Sequence, residues 1–343
     1  MALEKMSDLF HKLLIFRTPG IGPARYAELI GKFGTPAAAV DSLCCGQEHL
    51  DTVQREMDRA AELGIHYICD ESEIFPAGIK RAKNHPQIIT VRGNLETLKR
   101  PAVGMVGTRH ATGAGMGFVQ GLARAFAENG YAVASGMAMG TDTAAHTGAL
   151  LSQSDSCTVA ILAGGADYIW PLENERLYHQ ILERGAIISR MPVGYKPNRG
   201  DFLRRNRGIA AISEKLILGE ADEKSGSMAT VAFATEFERQ VFAIPSHPSD
   251  SRSVGPNRLI KEGLATICTG IEDFFPTNAK QKFTNHKSEN INNDILNRLG
   301  IIPMTDSVLA ELVKKSVADV RRELVMLELY GRARKTDGGY VKA

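Results

Sequence analysis

The 343-residue chain has no apolar run long and uninterrupted enough to cross a membrane as a helix. Cysteine is scarce and scattered. Cys44, Cys45, Cys69, Cys157 and Cys268 are odd in number and form no C-x-x-C pair, the pattern of reduced thiols in a cytoplasm rather than of a disulfide framework. H-x-x-x-H is absent, so no zinc site has sequence-local ligands. G-x-S-x-G is absent, which removes the common hydrolase nucleophile. The start, "MALEKMSDLFHKLL", carries two acids and no small-residue cleavage site behind an apolar core, so no secretory signal is expected. An excess of charge is also missing: 41 Lys and Arg against 39 Asp and Glu leave +2. That balance identifies no nucleic-acid binder, and any such function must come from local clusters. The 43% apolar content gives an ordinary globular core, and the length suits two or three domains.

One glycine-rich stretch invites a cofactor reading and then refuses it. In "AVGMVGTRHATGAGMG", an apolar strand meets Gly113, Gly115 and Gly117, spaced G-x-G-x-G. The dinucleotide fingerprint needs G-x-G-x-x-G, and Phe118 occupies the place of the third glycine. The next strand, "YAVASG", ends in Ser135 and Gly136 with no acid to hold a ribose hydroxyl. Arg109 stands in the turn. The loop therefore reads as an anion site without a nucleotide cofactor.

The chain falls into parts. Residues 1–80 read as helical, with Gly20-Ile21-Gly22-Pro23 as a tight turn between two helices and Pro23 suited to a first helical turn. This resembles a helix-hairpin-helix or SAM-like domain, either gripping phosphate or purely structural; Tyr26 stands where the hairpin motif has a small residue. In residues 81–276, short apolar runs alternate with helical stretches: "AVGMV", "YAVAS", "CTVAILA", "AIIS", "KLILG", "QVFAIP" and "ATIC". The pattern predicts an α/β fold with a doubly wound, mostly parallel sheet. Residues 277–293 are polar and aperiodic, a linker. In residues 294–343, three helix-length pieces, with Thr305 and Ser316 as caps, precede an Asp337-Gly338-Gly339 turn; three helices and a hairpin describe a winged helix. From Leu312 to the end, eight Lys or Arg face four Asp or Glu, so this part is expected to bind either DNA or protein.

Ligands of such sheets bind beyond the carboxyl ends of the strands, which selects the loops to inspect. They carry Gly107, Thr108 and Arg109; Ser135, Gly136 and Gly140, with Thr141 or Asp142 as the next helix cap; Arg204, Arg205, Asn206 and Arg207; and Ser225, Gly226 and Ser227 opening a helix. Arginine forks phosphate bidentately, and free amides at helix starts favour anions. Together these residues are expected to form one DNA-binding rim. Asp142 and His146, at i and i+4, read as a cap and a hydrogen-bonded helix residue rather than as an acid–base pair.

The motifs "VGTR", "SGMAMGTDTAAHTGAL", "LAGGADYIWPLEN", "DFLRRNRGIAAIS", "EADEKSGSMATVAFATEFERQVFAIP" and "GPNRLIKEGLATI" stand in the order and spacing of one family. Over Val103 to Ile267 the chain resembles the DprA/Smf DNA-processing proteins. The resemblance implies a cytoplasmic bacterial homodimer that is not an enzyme, binds and protects incoming single-stranded DNA during natural transformation, and helps load the recombinase RecA. It implies an extended Rossmann-like core without cofactor or metal, Arg109 in the DNA pocket, and Arg204 to Arg207 on the family's arginine-rich segment. Met139 and Leu172 replace positive residues of relatives, and Pro245-Ser246-His247 replaces a Pro-Gly. The first two changes imply weaker DNA binding. The alternative class is a nucleoside-monophosphate phosphoribohydrolase of the lysine-decarboxylase-like group. Its P-G-G-x-G-T-x-x-E motif is missing from the stretch Ser225-Gly226-Ser227-Met228-Ala229-Thr230.

Overall fold

The computed structural model describes residues 7–275, 293–329 and 332–343. Residues 277–292 of the expected linker lie outside the described residues. The chain divides into two compact units, Met1–Phe275 and Pro276–Ala343. No helix among the described residues is long and apolar enough to cross a membrane.

The first unit begins with helices α1 (Asp8–Arg17), α2 (Pro23–Phe33), α3 (Pro36–Leu43) and α4 (Gln47–Glu62). Pro23 occupies the first turn of α2, where its missing N–H costs nothing. Phe10, Leu13, Leu14, Tyr26, Leu29 and Val53 close a small core between these helices. Then follow β1 (Ile65–Cys69), α5 (Ala77–Arg81) and β2 (Ile88–Gly93). The helical reading of residues 1–80 is thus corrected at β1, which pairs antiparallel with β2, as β2 does with β6 (Ala186–Ser189).

The remaining elements alternate: β3 (Ala102–Val106), α6 (Gly113–Glu128), β4 (Ala132–Ser135), α7 (Thr141–Leu150), β5 (Thr158–Ile161), α8 (Glu175–Arg184), β6, α9 (Arg199–Ile212), β7 (Lys215–Leu218), α10 (Gly226–Glu236), β8 (Gln240–Ala243), α11 (Val254–Lys261) and β9 (Thr266–Ile267). They form a nine-stranded sheet of order β1-β2-β6-β5-β4-β3-β7-β8-β9, parallel from β6 to β9. All seven apolar runs read from the sequence are strands of this sheet. Their side chains alternate between two cores. Along β3, Ala102 and Val106 pack with α9 and α10, while Val103 and Met105 pack with α6 and α7. Burial on both faces explains the unbroken apolarity of these strands. β3 has β4 on one side and β7 on the other, so strand order reverses between β3 and β7. At such a switch point the following loops diverge and leave a crevice.

The second unit contains α12 (Asn293–Arg298), α13 (Asp306–Val313), α14 (Val317–Leu329) and an antiparallel hairpin of β10 (Ala333–Thr336) and β11 (Gly339–Lys342). Thr305 caps α13, and the Ser316 hydroxyl accepts the Asp319 amide at 3.1 Å at the start of α14. Ile295, Leu299, Leu309, Val320, Leu324 and Leu327 make its core.

Candidate functional site

The crevice at the β3/β7 switch is a cleft of ≈ 740 Å³. Three segments build most of it, joined by Trp170 from the loop after β5 and by Ala138 and Asp142 at the start of α7. The loop after β3 brings Gly107, Thr108 and Arg109; the loop into α10 brings Lys224, Ser225, Gly226 and Ser227; α9 brings Arg199, Phe202, Arg205 and Asn206. The β3 loop is fixed from both sides, because the Thr108 amide donates to the Glu220 carbonyl at 2.6 Å and its carbonyl accepts from the Thr141 amide at 3.2 Å. Gly140, at φ +74°, allows that approach, since a Cβ there would lie 2.5 Å from the Thr108 carbonyl oxygen. Ser225 caps α10, its hydroxyl accepting the Ser227 amide at 3.4 Å, so that a helix start with two hydroxyls opens on the cleft.

The cleft combines unpaired positive charge with aromatic surface. Among the described residues, Arg109, Arg199 and Lys224 have no carboxylate within 4.0 Å. The Arg109 guanidinium lies 5.0 Å from the centre of the Trp170 ring and 6.0 Å from that of Phe202. Trp170 and Phe202 meet edge to face, with centroids 4.8 Å apart. Asp142 is the carboxylate in the lining, and it is buried. It accepts the Ala138 amide at 3.2 Å and faces Arg205 at 3.9 Å. Burial raises its pKa, and Arg205 opposes the rise. Such a surface grips phosphates and stacks bases; it presents no free acid–base pair to a substrate.

The structure gathers Gly107, Thr108, Arg109, Arg205, Asn206, Ser225, Gly226 and Ser227 on this cleft. It does not bring the other expected residues there. Ser135 is buried, its hydroxyl on the Met105 carbonyl at 2.7 Å. Gly136 lies behind the wall, its carbonyl taken by Arg205, and Gly140 itself is the cap of α7, where Thr141 or Asp142 was expected. The stretch read as an arginine-rich loop is helix α9, and successive residues of a helix point about 100° apart. Arg205 therefore points inward and is buried, Arg204 lies away from the cleft beside Asp201, and Arg207 forks Glu236 at 2.8 and 2.9 Å. Arg205 is a buried cation at the cleft wall, held by the Gly136 carbonyl and Asp142.

The glycine-rich loop is corrected too. The start of α6 is an anion site, but its anion is the chain's own Glu220. That carboxylate accepts the Thr112 amide at 2.7 Å, and a Cβ on Gly115 would lie 2.6 Å from its oxygen. Of Asp142 and His146, the latter bonds Thr158 Oγ1 at 2.7 Å, away from Asp142. Sequence reasoning missed Trp170, Phe202, Arg199 and Lys224 as cleft residues. Once α9 is placed, Arg199, Phe202, Asn206 and Ile209 follow at helical spacing on one face, a signal legible in the sequence.

Comparison with known proteins matches this frame. The model of the DNA recombination-mediator protein A family matches residues 66–278. Protein Smf of Synechocystis sp. is 34% identical over 205 residues, 59% of this chain, and the match spans about half (51%) of that longer relative. The X-ray structure of DNA processing protein A from Streptococcus pneumoniae superposes with a TM-score of 0.68 at 26% identity, covering 79% of this chain and 98% of that one. A structure of DNA processing protein A from Helicobacter pylori, which describes that protein's single-stranded DNA binding mode, gives a TM-score of 0.57 at 28% identity over 63% of this chain and 96% of that one. With the family's sequence pattern covering most of the α/β unit and the same fold in two of its members, the chain belongs to the DNA recombination-mediator protein A family.

Proposed function

We propose that this protein binds single-stranded DNA in the β3/β7 cleft and acts in DNA processing during natural transformation. Arg109, Arg199, Lys224 and the α10 start hold successive phosphates, while Trp170 and Phe202 take base faces. Delivery of the strand to RecA, a homodimeric state, a cytoplasmic location, and helix-hairpin-helix-like and winged-helix roles for the flanking helical parts belong to the same reading, carried by the family. It needs no cofactor, metal or catalytic residue. The observation that carries it is the set of carboxylate-free cations beside an aromatic pair at the switch point. Fluorescence anisotropy with labelled oligonucleotides tests it. Single strands are expected to bind more tightly than duplex, with little sequence preference and with log affinity falling linearly with log salt. Tighter binding of duplex would overturn the assignment.

A further inference from the structure

Helix α9 carries cations away from the cleft as well as toward it. Arg190, just past β6, and Arg204 line two adjoining cavities on the far side. The larger, ≈ 200 Å³, lies between the α1–α2 turn and the end of β6, with Gly22, Pro23, Gln87 and Thr90 in its wall. The smaller, ≈ 60 Å³, has an apolar floor of Ile79, Ile161 and Ile188, with Lys83 in its lining. Arg205 lines both this smaller cavity and the DNA cleft, so the two surfaces lie on either side of one helix.

The charge on this far side is unbalanced. Arg204 donates to Asp201 at 2.8 Å. That single carboxylate is buried and already accepts the Tyr195 hydroxyl and the Asn198 amide, both at 2.9 Å. Arg190 is an exposed residue and has no carboxylate within 4.0 Å among the described residues. Partial desolvation of its head group, then the positive charge of Arg204, lower its pKa, with Asp201 opposing them. Arg207 is neutralised separately by Glu236. Two guanidiniums held near one shared carboxylate leave net positive charge facing a polar cavity, and a phosphate fits the fork geometry. The wall adds donors. α2 starts after Gly22 with no side-chain cap, and Gly22 and Pro23 place its positive end at the same space. The Gln87 amide oxygen is buried there without a partner, and the amide turned over presents N–H instead.

We propose that Arg190 and Arg204, with the start of α2, form a second phosphodiester site that holds the strand where it leaves the cleft and crosses α9. This rests on the reading that the cleft holds single-stranded DNA. It makes the length of strand, not only its presence, matter to affinity.

The test uses the full chain and two thymidine oligonucleotides, of about 6 and about 20 nucleotides, bracketing the site sizes of single-strand binders. Arg190→Ala removes a cation with no partner to orphan; Arg190→Glu and Arg204→Ala are the companion variants. The long oligonucleotide should lose roughly fivefold with Arg190→Ala and more with Arg190→Glu, and the salt slope should become shallower by about 0.7 for each contact removed. The short one should bind as before. Unchanged binding of the long strand, or equal losses at both lengths, would overturn the second site. Arg109→Ala in parallel checks the cleft itself. If the parent protein binds neither length, or if Arg109→Ala binds both like the parent, the cleft reading fails whatever Arg190 does. Inorganic phosphate provides the last arm. Displacement of the long strand no greater than ionic strength alone produces supports the strand backbone as the ligand. Saturable phosphate binding that Arg190→Ala abolishes, without any dependence on strand length, would assign the site to free phosphate and overturn the proposal.

Discussion

The cleft of the first unit and the helices of the second are both rich in arginine and lysine, but they hold the charge differently. On α13 and α14, Arg321 pairs with Asp306, Arg322 with Asp319, and Lys315 with Glu323 at 2.6 Å. In the cleft, Arg109, Arg199 and Lys224 face no carboxylate among the described residues and lie among aromatic rings and a helix start. Three of the eight basic residues after Leu312 are answered in this way, and what sets the cleft apart is that all three of its surface cations lack such a partner and stand beside aromatic rings and a helix start. In the second unit, Lys314, Arg332 and the hairpin's Arg334, Lys335 and Lys342 have no such partner among the described residues, so a DNA contact there is expected from the hairpin before α14.

The largest expected effect sharpens this contrast by separating a structural cation from a binding one. Arg205→Ala leaves Asp142 buried without its counter-charge and the Gly136 carbonyl without a donor. It should cost about 3–5 kcal/mol of stability, read as a lower denaturant midpoint. Retention of parental stability would return Arg205 to the DNA contacts.

Acid should divide the two units next. Burial, and then Arg205, push the His146 pKa down to about 3. The folded value lies below the unfolded one of about 6.5, so the unfolded chain takes up the proton first; stability is complete above that pH and falls as pH drops toward 3, by at most about 1.4 kcal/mol per unit. Asp142, with its raised pKa, acts in the opposite sense, so His146→Gln is the control that isolates the histidine. In the second unit, arginine partners and hydroxyl donors hold the half-buried Asp306 and Asp319 below the usual carboxylate range, so their contribution persists to lower pH than that of His146. Denaturation from pH 7.5 to 4 with a tryptophan signal follows the first unit, which holds the only tryptophan of the chain. A flat profile for the parent, or an identical slope in His146→Gln, would remove His146 from the explanation.

Within the cleft, Trp170→Ala should weaken single strands by about 1–3 kcal/mol, the usual value of one base–aromatic stack, with the salt slope unchanged because no charge is lost. A changed slope with unchanged affinity would show that Trp170 only orients Arg109. The smallest effect is expected in the second unit: Arg321→Ala with Arg322→Ala should alter strand affinity by less than about twofold, as exposed, paired charges contribute little. A loss as large as that of a cleft arginine would erase the distinction between paired and unpaired cations.

Much of the frame was legible because its signals are local. Apolar runs marked the seven strands from β3 to β9, and Pro23 and Ser225 marked two helix starts. What escaped depends on contacts between distant residues. β1 and β2 are an antiparallel edge whose pairing to β6 joins Thr90 to Ser189, and short half-buried strands carry little period of their own. Glu220 fills the α6 start from a loop 108 residues beyond Thr112. Trp170 and Phe202 meet only because β5 and β6 place their loops on one rim. The Arg204–Arg207 cluster divides for the opposite reason: neighbours in sequence are not neighbours in space on a helix, which turns Arg205 and Asn206 to the cleft and Arg204 and Arg207 away from it.

Arg109 joins the free charge of the cleft to its aromatic pair, and its replacement is the most direct measurement. In an anisotropy titration with a single-stranded oligonucleotide, Arg109→Ala should lose roughly tenfold to hundredfold in affinity, the value of a charge-assisted fork of about 1.5–3 kcal/mol. Arg109→Lys should restore only part of it, because lysine keeps the charge without the fork. The loss should be similar for any sequence, with the folded state unchanged, since Arg109 is exposed. A folded Arg109→Ala protein that binds single strands like the parent would contradict the assignment of the cleft and move the search to the β10–β11 hairpin.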